Sequence, residues 1–205
     1  MLTIHNFVRG GRGQRIAWLC EEMGLAYRMA AVTYPPSAAY LALNPLGTVP
    51  FLQDDETGVA MGESVAICLY VAGRYGPTPL MPAPGAAGFA EVLEWALLSE
   101  ATLGSAVNVL LAERFGAPDE AKGNWSARGM AGRVDQVVAQ ISARLGDKPF
   151  LVGDDLTLAD IAIASMLGIW RGALGKTPPD NVAAWLDRLA ERPAWQRARA
   201  AATAG

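Results

Sequence analysis

The sequence is poor in the residues that build metal sites and disulfide frameworks. Its 205 residues include two cysteines, Cys20 and Cys68, and a single histidine, His5. A zinc site needs three or four Cys, His or carboxylate ligands, and a disulfide scaffold needs several cysteine pairs. We therefore expect no metal, and two unpaired cysteines on apolar helix faces. Such cysteine usage is typical of a reducing compartment, so we expect a cytoplasmic protein.

Charged residues are also scarce, and there is no basic surplus. Charged residues make up 18% of the chain, hydrophobic residues 52%, and the formal net charge is −3. An acidic balance repels phosphates, so we expect no nucleic-acid partner. No apolar run reaches the ~18 residues that a membrane span needs. The first residues, MLTIHNFVRGG, lack the basic and apolar regions of a secretory signal, so we expect neither membrane insertion nor secretion.

The N-terminal part alternates strand and helix patterns. Apolar runs at 2–7 and 26–32 predict two strands, and between them an apolar stripe predicts a helix that ends at Gly24. A hairpin with its turn near 54–58 follows, and then a helix over 64–75. The stripe of the first helix consists of Ile16, Leu19, Cys20 and Met23. This order predicts a small α/β domain.

The character of the chain changes after residue 76. The segment GPTPLMPAPG contains four prolines and predicts an irregular linker over 77–85. Beyond it, apolar residues keep helical spacing and no strand pattern is found, so we expect an all-α domain over 86–205. The helical stripes lie at 89–111, 130–145, 161–167, 182–190 and 193–202. Most tryptophans, among them Trp125, are expected to pack between these helices.

One helix start carries a clear local signature. In DDLTLADIAIA, Thr157 can cap the helix and Asp160 stands three residues later, as in a capping box. Leu156 and Ile161 occupy the two positions of a hydrophobic staple. Asp160 is therefore interpreted as a folding residue and not as a catalyst.

The loop VRGGRGQR, residues 8–15, follows the first strand and opens the first helix. A dinucleotide motif would need a third glycine where Ile16 stands, and no phosphate-binding loop motif occurs. A helix N-terminus with nearby arginines still favours a small anion, and Arg9, Arg12 and Arg15 supply the charge. The alternative is that the glycines only turn the chain and the arginines are solvated.

Two further segments carry polar chemistry at element ends. In NPLGTVPFL, Pro50 stands where a strand begins, and a cis Val49–Pro50 bond would leave the Val49 backbone free to pair with an extended ligand. In GESVAI, Ser64 and the first amides of a helix can bind a carboxylate, and Glu63 can bind an ammonium group. An ordinary trans loop proline and a plain helix cap are the alternatives.

These segments together resemble the cytosolic glutathione transferase family over essentially the whole chain. The resemblance implies a thioredoxin-like N-terminal domain, an all-α C-terminal domain, a homodimer, and glutathione as co-substrate in the cleft between the domains. The segments that carry it are RGQRIAWLCEEMGLAY, NPLGTVPFL, GESVAICLYV and FLVGDDLTLADIAIA.

The resemblance also implies roles for single residues. Val49 should pair through its backbone with the cysteinyl part of glutathione, and Pro50 should be the cis proline beside it. Glu63 and Ser64 should hold the γ-glutamyl head. No basic residue for the glycine carboxylate occurs in TYPPSAAYLALN, which leaves Tyr34, Tyr40 or a loop arginine as candidates.

The opening loop departs from the family pattern. Related bacterial members often carry a Ser, Tyr or Cys near the end of the first strand, whereas this chain reads GGRG. Our hypothesis is that backbone amides of Gly10 to Arg12 and the helix dipole stabilise the thiolate, with Gly11 and Arg12 as the catalytic candidates. Arg9 is a candidate for binding glutathione.

The function implied is conjugation of glutathione to small electrophilic apolar compounds, or their reduction with it, as in detoxification. A non-catalytic glutathione-binding or scaffolding protein of the same fold is one alternative, because the usual hydroxyl is missing. A glutathione-dependent isomerase, dehalogenase or peroxidase is another.

Overall fold

The computed structural model describes residues 1–8 and 11–203. Its first part is a four-stranded sheet with three helices, and the elements agree with the strand and helix patterns of the sequence. Only small boundary shifts occur, such as a second strand that begins at Tyr27. The elements are β1 (Leu2–Phe7), α1 (Gly13–Met23), β2 (Tyr27–Val32), α2 (Ala38–Leu43), β3 (Phe51–Asp54), β4 (Val59–Met61) and α3 (Ser64–Arg74).

The sheet is mixed, with the strand order β2-β1-β3-β4. β1 is parallel to β2, antiparallel to β3, and β3 is antiparallel to β4. The parallel pair is joined through α1, whose end is set by Gly24 in the left-handed conformation, as expected. The predicted hairpin is also confirmed. β1 is a central strand, and because it runs antiparallel to β3, His5 near its end pairs with Phe51 at the start of β3.

The second part is helical, as the sequence predicts. The expected single stripe over 89–111 is divided, because Ser99–Gly104 forms π-helical turns between α4 and α5. The extra residue in each π-helical turn shifts the phase of the apolar face. A count of the spacing between apolar residues does not detect this shift. The helices are α4 (Phe89–Leu98), α5 (Ser105–Gly116), α6 (Trp125–Leu145), α7 (Leu158–Leu174), α8 (Asp180–Ala190) and α9 (Pro193–Thr203).

The chain divides into two compact units, and the last helix belongs to the first one. One unit is Met1–Met81 with Ala190–Gly205, and the other is Pro82–Leu189. The sequence-based division assigns all of 86–205 to the helical domain, so the structure differs from it over the final helix.

Contacts between α9 and α1 explain this difference. The Arg192 guanidinium donates to both carboxylate oxygens of Glu22, at 2.7 and 2.8 Å. The Trp18 and Trp195 rings meet edge to face at 4.9 Å between centroids. Burial opposes ionisation of Glu22, yet the hydrogen bonds from Arg192 and Trp18 hold its pKa below the usual value. A partner distant in sequence therefore fixes the position of α1.

The capping box of α7 is confirmed. Asp160 is fully buried and its carboxylate accepts hydrogen bonds from the backbone N–H groups of Leu151 and Thr157, at 2.8 and 2.9 Å. The Thr157 hydroxyl adds a third, at 3.0 Å. The part of α7 over 161–167 is buried almost all round, as its apolar sequence predicts. Asp160 thus has a structural role.

One sequence-based expectation needs correction. Trp125 is not packed between helices but is 80% exposed, because it begins α6 ahead of the buried stripe. The helical stretch Phe89–Gly116 is, by its length and a mean hydropathy of 1.3, apolar enough to cross a membrane. Of its most apolar window 44% is buried inside the protein, and core helices meet the same criteria, so composition alone identifies no span.

A buried carboxylate connects the hairpin to α3. Asp54 is 2% exposed and accepts hydrogen bonds from the hydroxyls of Tyr70, at 2.7 Å, and Tyr75, at 2.8 Å. The Glu56 N–H donates at 3.0 Å. Burial alone would raise the pKa of Asp54, but these hydrogen bonds outweigh it and hold the pKa below its usual value. This cluster sets where α3 lies on the sheet.

We predict that Asp54→Asn lowers the free energy of unfolding at neutral pH by about 2 kcal/mol, since Tyr70 and Tyr75 lose an ionised acceptor. Because the pKa is lower in the folded than in the unfolded state, this stabilisation is present above about pH 4 and is lost as the pH falls through the lowered value. Urea unfolding over a pH series measures both effects. Asp55→Asn, at the exposed neighbouring residue, is the control. If the loss of unfolding free energy in Asp54→Asn does not become smaller in acid, Asp54 is not the ionised acceptor of these hydrogen bonds.

Candidate functional site

The segment before β3 is anchored by side chains of α2 and the residue that ends it. The Tyr40 hydroxyl donates to the Thr48 carbonyl at 2.6 Å, and the Asn44 amide donates to the same oxygen at 2.8 Å. Both side chains are buried. The Val49–Pro50 peptide bond that follows is cis, as the sequence predicts. The path of the chain into β3 is therefore well defined.

Val49 itself is left with unpaired backbone groups. Neither its N–H nor its C=O makes a hydrogen bond with any residue in the described ranges. Its side chain is half-buried against a cluster that includes Val32, Tyr40 and Phe51. The pairing of β3 with β1 begins only at Phe51, opposite His5. A fixed segment with a free donor and acceptor is suited to binding an extended peptide as another strand would.

The start of α3 has an unusual backbone. Glu63 has φ 64° and ψ 103°, and within 1–8 and 11–203 it is the only non-glycine residue with positive φ. Such a conformation costs of order 1–3 kcal/mol and is found most often at binding and catalytic sites. Ser64 follows as the first helical residue, and no acidic side chain occupies the first turn. The positive end of the helix dipole is therefore not offset by a carboxylate of that turn.

A buried arginine connects α1 to this position. Arg15 is fully buried, and its guanidinium donates a hydrogen bond to the Ser64 Oγ at 3.2 Å. Because the oxygen already accepts, the Ser64 hydroxyl proton can be donated to a further acceptor. The guanidinium charge and the α3 dipole both make this point positive, which favours an anionic group of a ligand.

The sequence interpretation placed Arg15 in the loop, and the structure corrects it. The side chain lies in the interior and not in solvent. The sequence does contain a sign of this interior position. Arg15 precedes Leu19 by four residues and therefore lies on the same buried face of the helix.

The glycines of the opening loop make room for a buried asparagine. Asn6 is 2% exposed, and its Oδ1 accepts a hydrogen bond from the Gly13 N–H at 3.1 Å. A Cβ on Gly13 would lie 2.6 Å from the Asn6 Cγ, and one on Gly11 would lie 2.6 Å from its Oδ1. Gly11 also has φ 89°. The close approach of Asn6 therefore explains why these positions carry no side chain.

Of the other candidates in the opening loop, the structure describes Arg12 but not Arg9 or Gly10. Arg12 is the N-cap residue of α1 and is half-buried, with no side-chain cap bond. Arg9 and Gly10 lie outside the described residues. The structure joins the α1 and α3 candidates through the bond from Arg15 to Ser64, and it places Val49 and Pro50 just before the strand that pairs with β1.

The tyrosines suggested for the glycine carboxylate do not offer a prepared site. Tyr40 uses its hydroxyl on Thr48, and burial raises its pKa. Tyr34 is 85% exposed, and its ring meets the edge of Phe7 at 6.0 Å. The suggestion of Tyr40 is thus wrong, because its hydroxyl has a structural role.

The other titratable candidates are structural. The His5 Nε2 lies 2.8 Å from the Gln53 Oε1. Cys20 and Cys68 are buried, and burial raises the pKa of the Cys20 thiol far above its usual value. Within the described part of the chain, no three His, Cys, Asp or Glu side chains are grouped in a way that could hold a metal ion.

Comparisons with known proteins agree on one family. The model of the glutathione S-transferase N-terminal domain matches residues 12–74, and that of the C-terminal domain matches residues 120–188. The glutathione S-transferase GstB of Escherichia coli K12 is 33% identical over 202 residues, 95% of either chain. Glutathione S-transferase 3 of Zea mays is 31% identical over 205 residues, 91% of this chain and 88% of its own.

Solved structures have the same fold. A glutathione transferase from Methylococcus capsulatus superimposes with a TM-score of 0.86 at 25% identity, covering 98% of each chain. The URE2P8 transferase of Phanerochaete chrysosporium, crystallised with oxidised glutathione, superimposes with a TM-score of 0.82 at 21% identity. It covers 98% of this chain and 94% of its own.

We predict that Gly13→Ala destabilises the protein by about 2 kcal/mol or more, because the new methyl group meets the buried Asn6 side chain. Urea unfolding of Gly13→Ala, Asn6→Ala and the double variant measures the coupling between the two positions. Gly13→Ala should lower the free energy of unfolding clearly less when Asn6 has already been replaced by alanine. Gly132→Ala, at a helical glycine with open space around it, is the matched control, and additive losses at Gly13 and Asn6 would contradict the contact.

Proposed function

Because the chain belongs to the glutathione S-transferase family, we propose that it binds glutathione and transfers it to small electrophilic apolar compounds. The observation that carries the proposal is the unpaired backbone of Val49, together with the Ser64 hydroxyl that Arg15 polarises. No metal or prosthetic group is part of this chemistry.

The binding mode follows from the donors and acceptors of the site. The cysteinyl unit of an extended tripeptide lies along Val49, exchanging N–H to O=C hydrogen bonds as a short antiparallel strand. The γ-glutamyl carboxylate accepts from the Ser64 hydroxyl and from the amides of the first turn of α3. The carboxylate of Glu63 accepts from the γ-glutamyl ammonium group. Pro50 keeps Val49 in position at the start of β3.

The thiol lies toward the N-terminus of α1 in this orientation. Lowering a thiol pKa from about 9 to about 7 needs about 2.7 kcal/mol of preferential thiolate stabilisation. The Gly13 N–H already donates to Asn6, so the proposed groups are the amides around Gly11, the α1 dipole and the Arg12 guanidinium. Arg9 belongs to the same proposal as a further cation for glutathione.

Catalysis then requires two things. The loop stabilises the thiolate, and the fold holds an electrophile near the sulfur, so that the two reactants behave as one molecule. The thiolate donates an electron pair to the electrophilic carbon, a carbon–sulfur bond forms, and the leaving group departs with the electron pair of the broken bond. Conjugation in this form needs no residue that becomes covalently modified.

The proposal includes several features expected of the family. They are a glutathione-binding domain over 1–76, a linker over 77–85, a helical domain over 86–205, a homodimer, a cytoplasmic location and a role in detoxification. The packing of α9 on α1 supports one refinement of this division. The final helix stabilises the glutathione-binding domain, although it follows the helical domain in sequence.

Calorimetry with glutathione, followed by turnover of 1-chloro-2,4-dinitrobenzene and of an organic hydroperoxide, tests the proposal. Saturable binding together with turnover supports the transferase. Binding without turnover of either compound would support the non-catalytic alternative, which the loop without a hydroxyl or thiol side chain favours. Absence of both would contradict a glutathione function altogether.

We predict that Ser64→Ala weakens glutathione binding about tenfold, the loss expected when a charged group loses one hydrogen bond. Calorimetry measures the dissociation constant. Ser105→Ala is the matched control, because the Ser105 hydroxyl only contacts carbonyl groups within its own helical stretch. Equal affinity of Ser64→Ala and the control would exclude Ser64 from the binding site.

We predict that Arg12→Ala raises the pKa of bound glutathione thiol by about one unit, because a cation near the sulfur is lost. The thiolate absorbance of the complex, titrated against pH, measures this shift. Arg12→Lys keeps the charge and should recover most of the effect. An unchanged pKa in Arg12→Ala would remove Arg12 from the mechanism.

A further inference from the structure

The residues that precede Val49 surround the C-terminal end of an extended tripeptide bound there. In an antiparallel pair the two chains run in opposite directions. A cysteinyl unit paired with Val49 therefore places the γ-glutamyl unit on the Pro50 side and the glycine unit on the Thr48 side. Before Thr48 the chain consists of Gly47, Leu46 and the end of α2. These residues are the expected neighbours of the glycine carboxylate.

This part of the chain carries no charge. No acidic or basic residue and no histidine occurs from residue 29 to residue 53. The arginines nearest to the stretch in sequence are engaged elsewhere. Arg28 donates to the Thr3 hydroxyl at 3.2 Å, near the start of β1, and the Arg74 Cζ lies 5.4 Å from the centroid of the Tyr75 ring. A carboxylate beside α2 and the loop after it therefore meets uncharged groups of that stretch.

The hydrogen-bond donors of this loop are used within it. The Tyr40 hydroxyl and the Asn44 amide both donate to the Thr48 carbonyl, at 2.6 and 2.8 Å. The Gly47 N–H donates to the Asn44 carbonyl at 2.8 Å. These groups therefore stabilise the path of the chain into β3.

The surface that the loop offers instead is apolar. Leu46 is 81% exposed, and Leu41 is 41% exposed. A Cβ added to Gly47 would lie 3.1 Å from the Leu41 Cδ2 and 3.2 Å from the Pro36 Cγ, so apolar side chains also pack beside that glycine. Covering such a surface with an alkyl group is favourable, whereas a carboxylate placed against it loses water without gaining a partner.

The γ-glutamyl end of the site has the opposite character. There the Arg15 guanidinium donates to the Ser64 hydroxyl, and Glu63 precedes Ser64 at the start of α3. A zwitterionic head group finds both a positively polarised and a negatively charged partner at this point. The site is thus charged where it holds one end of the tripeptide and apolar where it holds the other.

From this contrast we infer that the site selects γ-glutamylcysteinyl thiols by their γ-glutamyl end and not by the charge of their C-terminal end. Derivatives whose glycine carboxylate is masked as an ester or an amide bind about as well as glutathione and serve as co-substrates. The inference rests on the proposed function, because it starts from a tripeptide thiol paired with Val49. The chemistry is unchanged, since the thiolate forms the carbon–sulfur bond and the C-terminal end takes no part in the electron flow.

Calorimetry of the full chain with three thiols tests the inference. They are glutathione, its ethyl ester at the glycine carboxylate, and cysteinylglycine, which lacks the γ-glutamyl unit. We expect the dissociation constants of glutathione and the ester to agree within about twofold. A carboxylate held by a cation would make the ester at least about tenfold weaker. Cysteinylglycine should bind at least about tenfold more weakly than glutathione, because it lacks the head group that α3 holds.

A cation introduced beside the glycine end tests its position. Leu46→Lys should strengthen glutathione binding about threefold at low ionic strength and leave binding of the ester unchanged. Phe115→Lys is the matched control, because it adds the same charge at a 70% exposed apolar residue of the other unit. It should alter neither affinity. Equal effects of Leu46→Lys on both ligands, or none on glutathione, would show that the glycine end lies elsewhere and would overturn the inference.

The outcomes separate this inference from the proposed function. If glutathione binds and the ester is at least about tenfold weaker, the inference is overturned while the glutathione function stands. That result is also expected if Arg9, which lies outside the described residues, holds the glycine carboxylate. If neither glutathione nor the ester binds, the proposed function is wrong and the inference fails with it. Binding of both, with cysteinylglycine much weaker, supports the two together.

Discussion

The candidate site depends on a single constraint, which is that the backbone of Val49 is fixed in place yet unpaired. Tyr40 and Asn44 hold the carbonyl of the preceding residue, Thr48. Phe51, two residues later, is held in the ladder with β1. Between these anchors the chain presents one donor and one acceptor without a protein partner in the described ranges. An unpaired polar backbone costs free energy unless water or a ligand satisfies it, so this feature is best understood as half of a binding interaction.

The N-termini of α1 and α3 give the candidate site a preference for anionic groups. α1 and α3 are brought together by the fully buried Arg15, which donates to Ser64, and the backbone strain at Glu63 occurs at the same point. Asp54 holds the far end of α3 through two tyrosines, and α9 holds α1 through Glu22 and the tryptophan pair. Residues from the first and last thirds of the chain thus cooperate to fix the positions of α1 and α3.

Local patterns in the sequence predicted most of the fold. The strands, the end of α1 at Gly24 and the capping box of Thr157 and Asp160 depend on residues close together in sequence, and they were confirmed. The cis bond before Pro50 was also expected. The interior position of Arg15 was missed because its partner Ser64 is distant in sequence. The Asn6 contact that requires glycine and the Tyr40 bond to Thr48 are closer in sequence, but they were missed because a side-chain contact across a turn leaves no periodic pattern. The packing of α9 on α1 was missed because these two helices are distant in sequence. The π-helical turns at 99–104 were missed because a count of apolar spacing does not detect one extra residue per turn.

The exchange rate of the Val49 amide hydrogen tests the central claim most directly. Amide hydrogen exchange followed residue by residue, with and without millimolar glutathione, reports whether this N–H gains a hydrogen bond. The account predicts rapid exchange in the free protein and slowing by about tenfold or more when glutathione is bound. Slow exchange in the free protein, or an unchanged rate in the presence of glutathione, would contradict it.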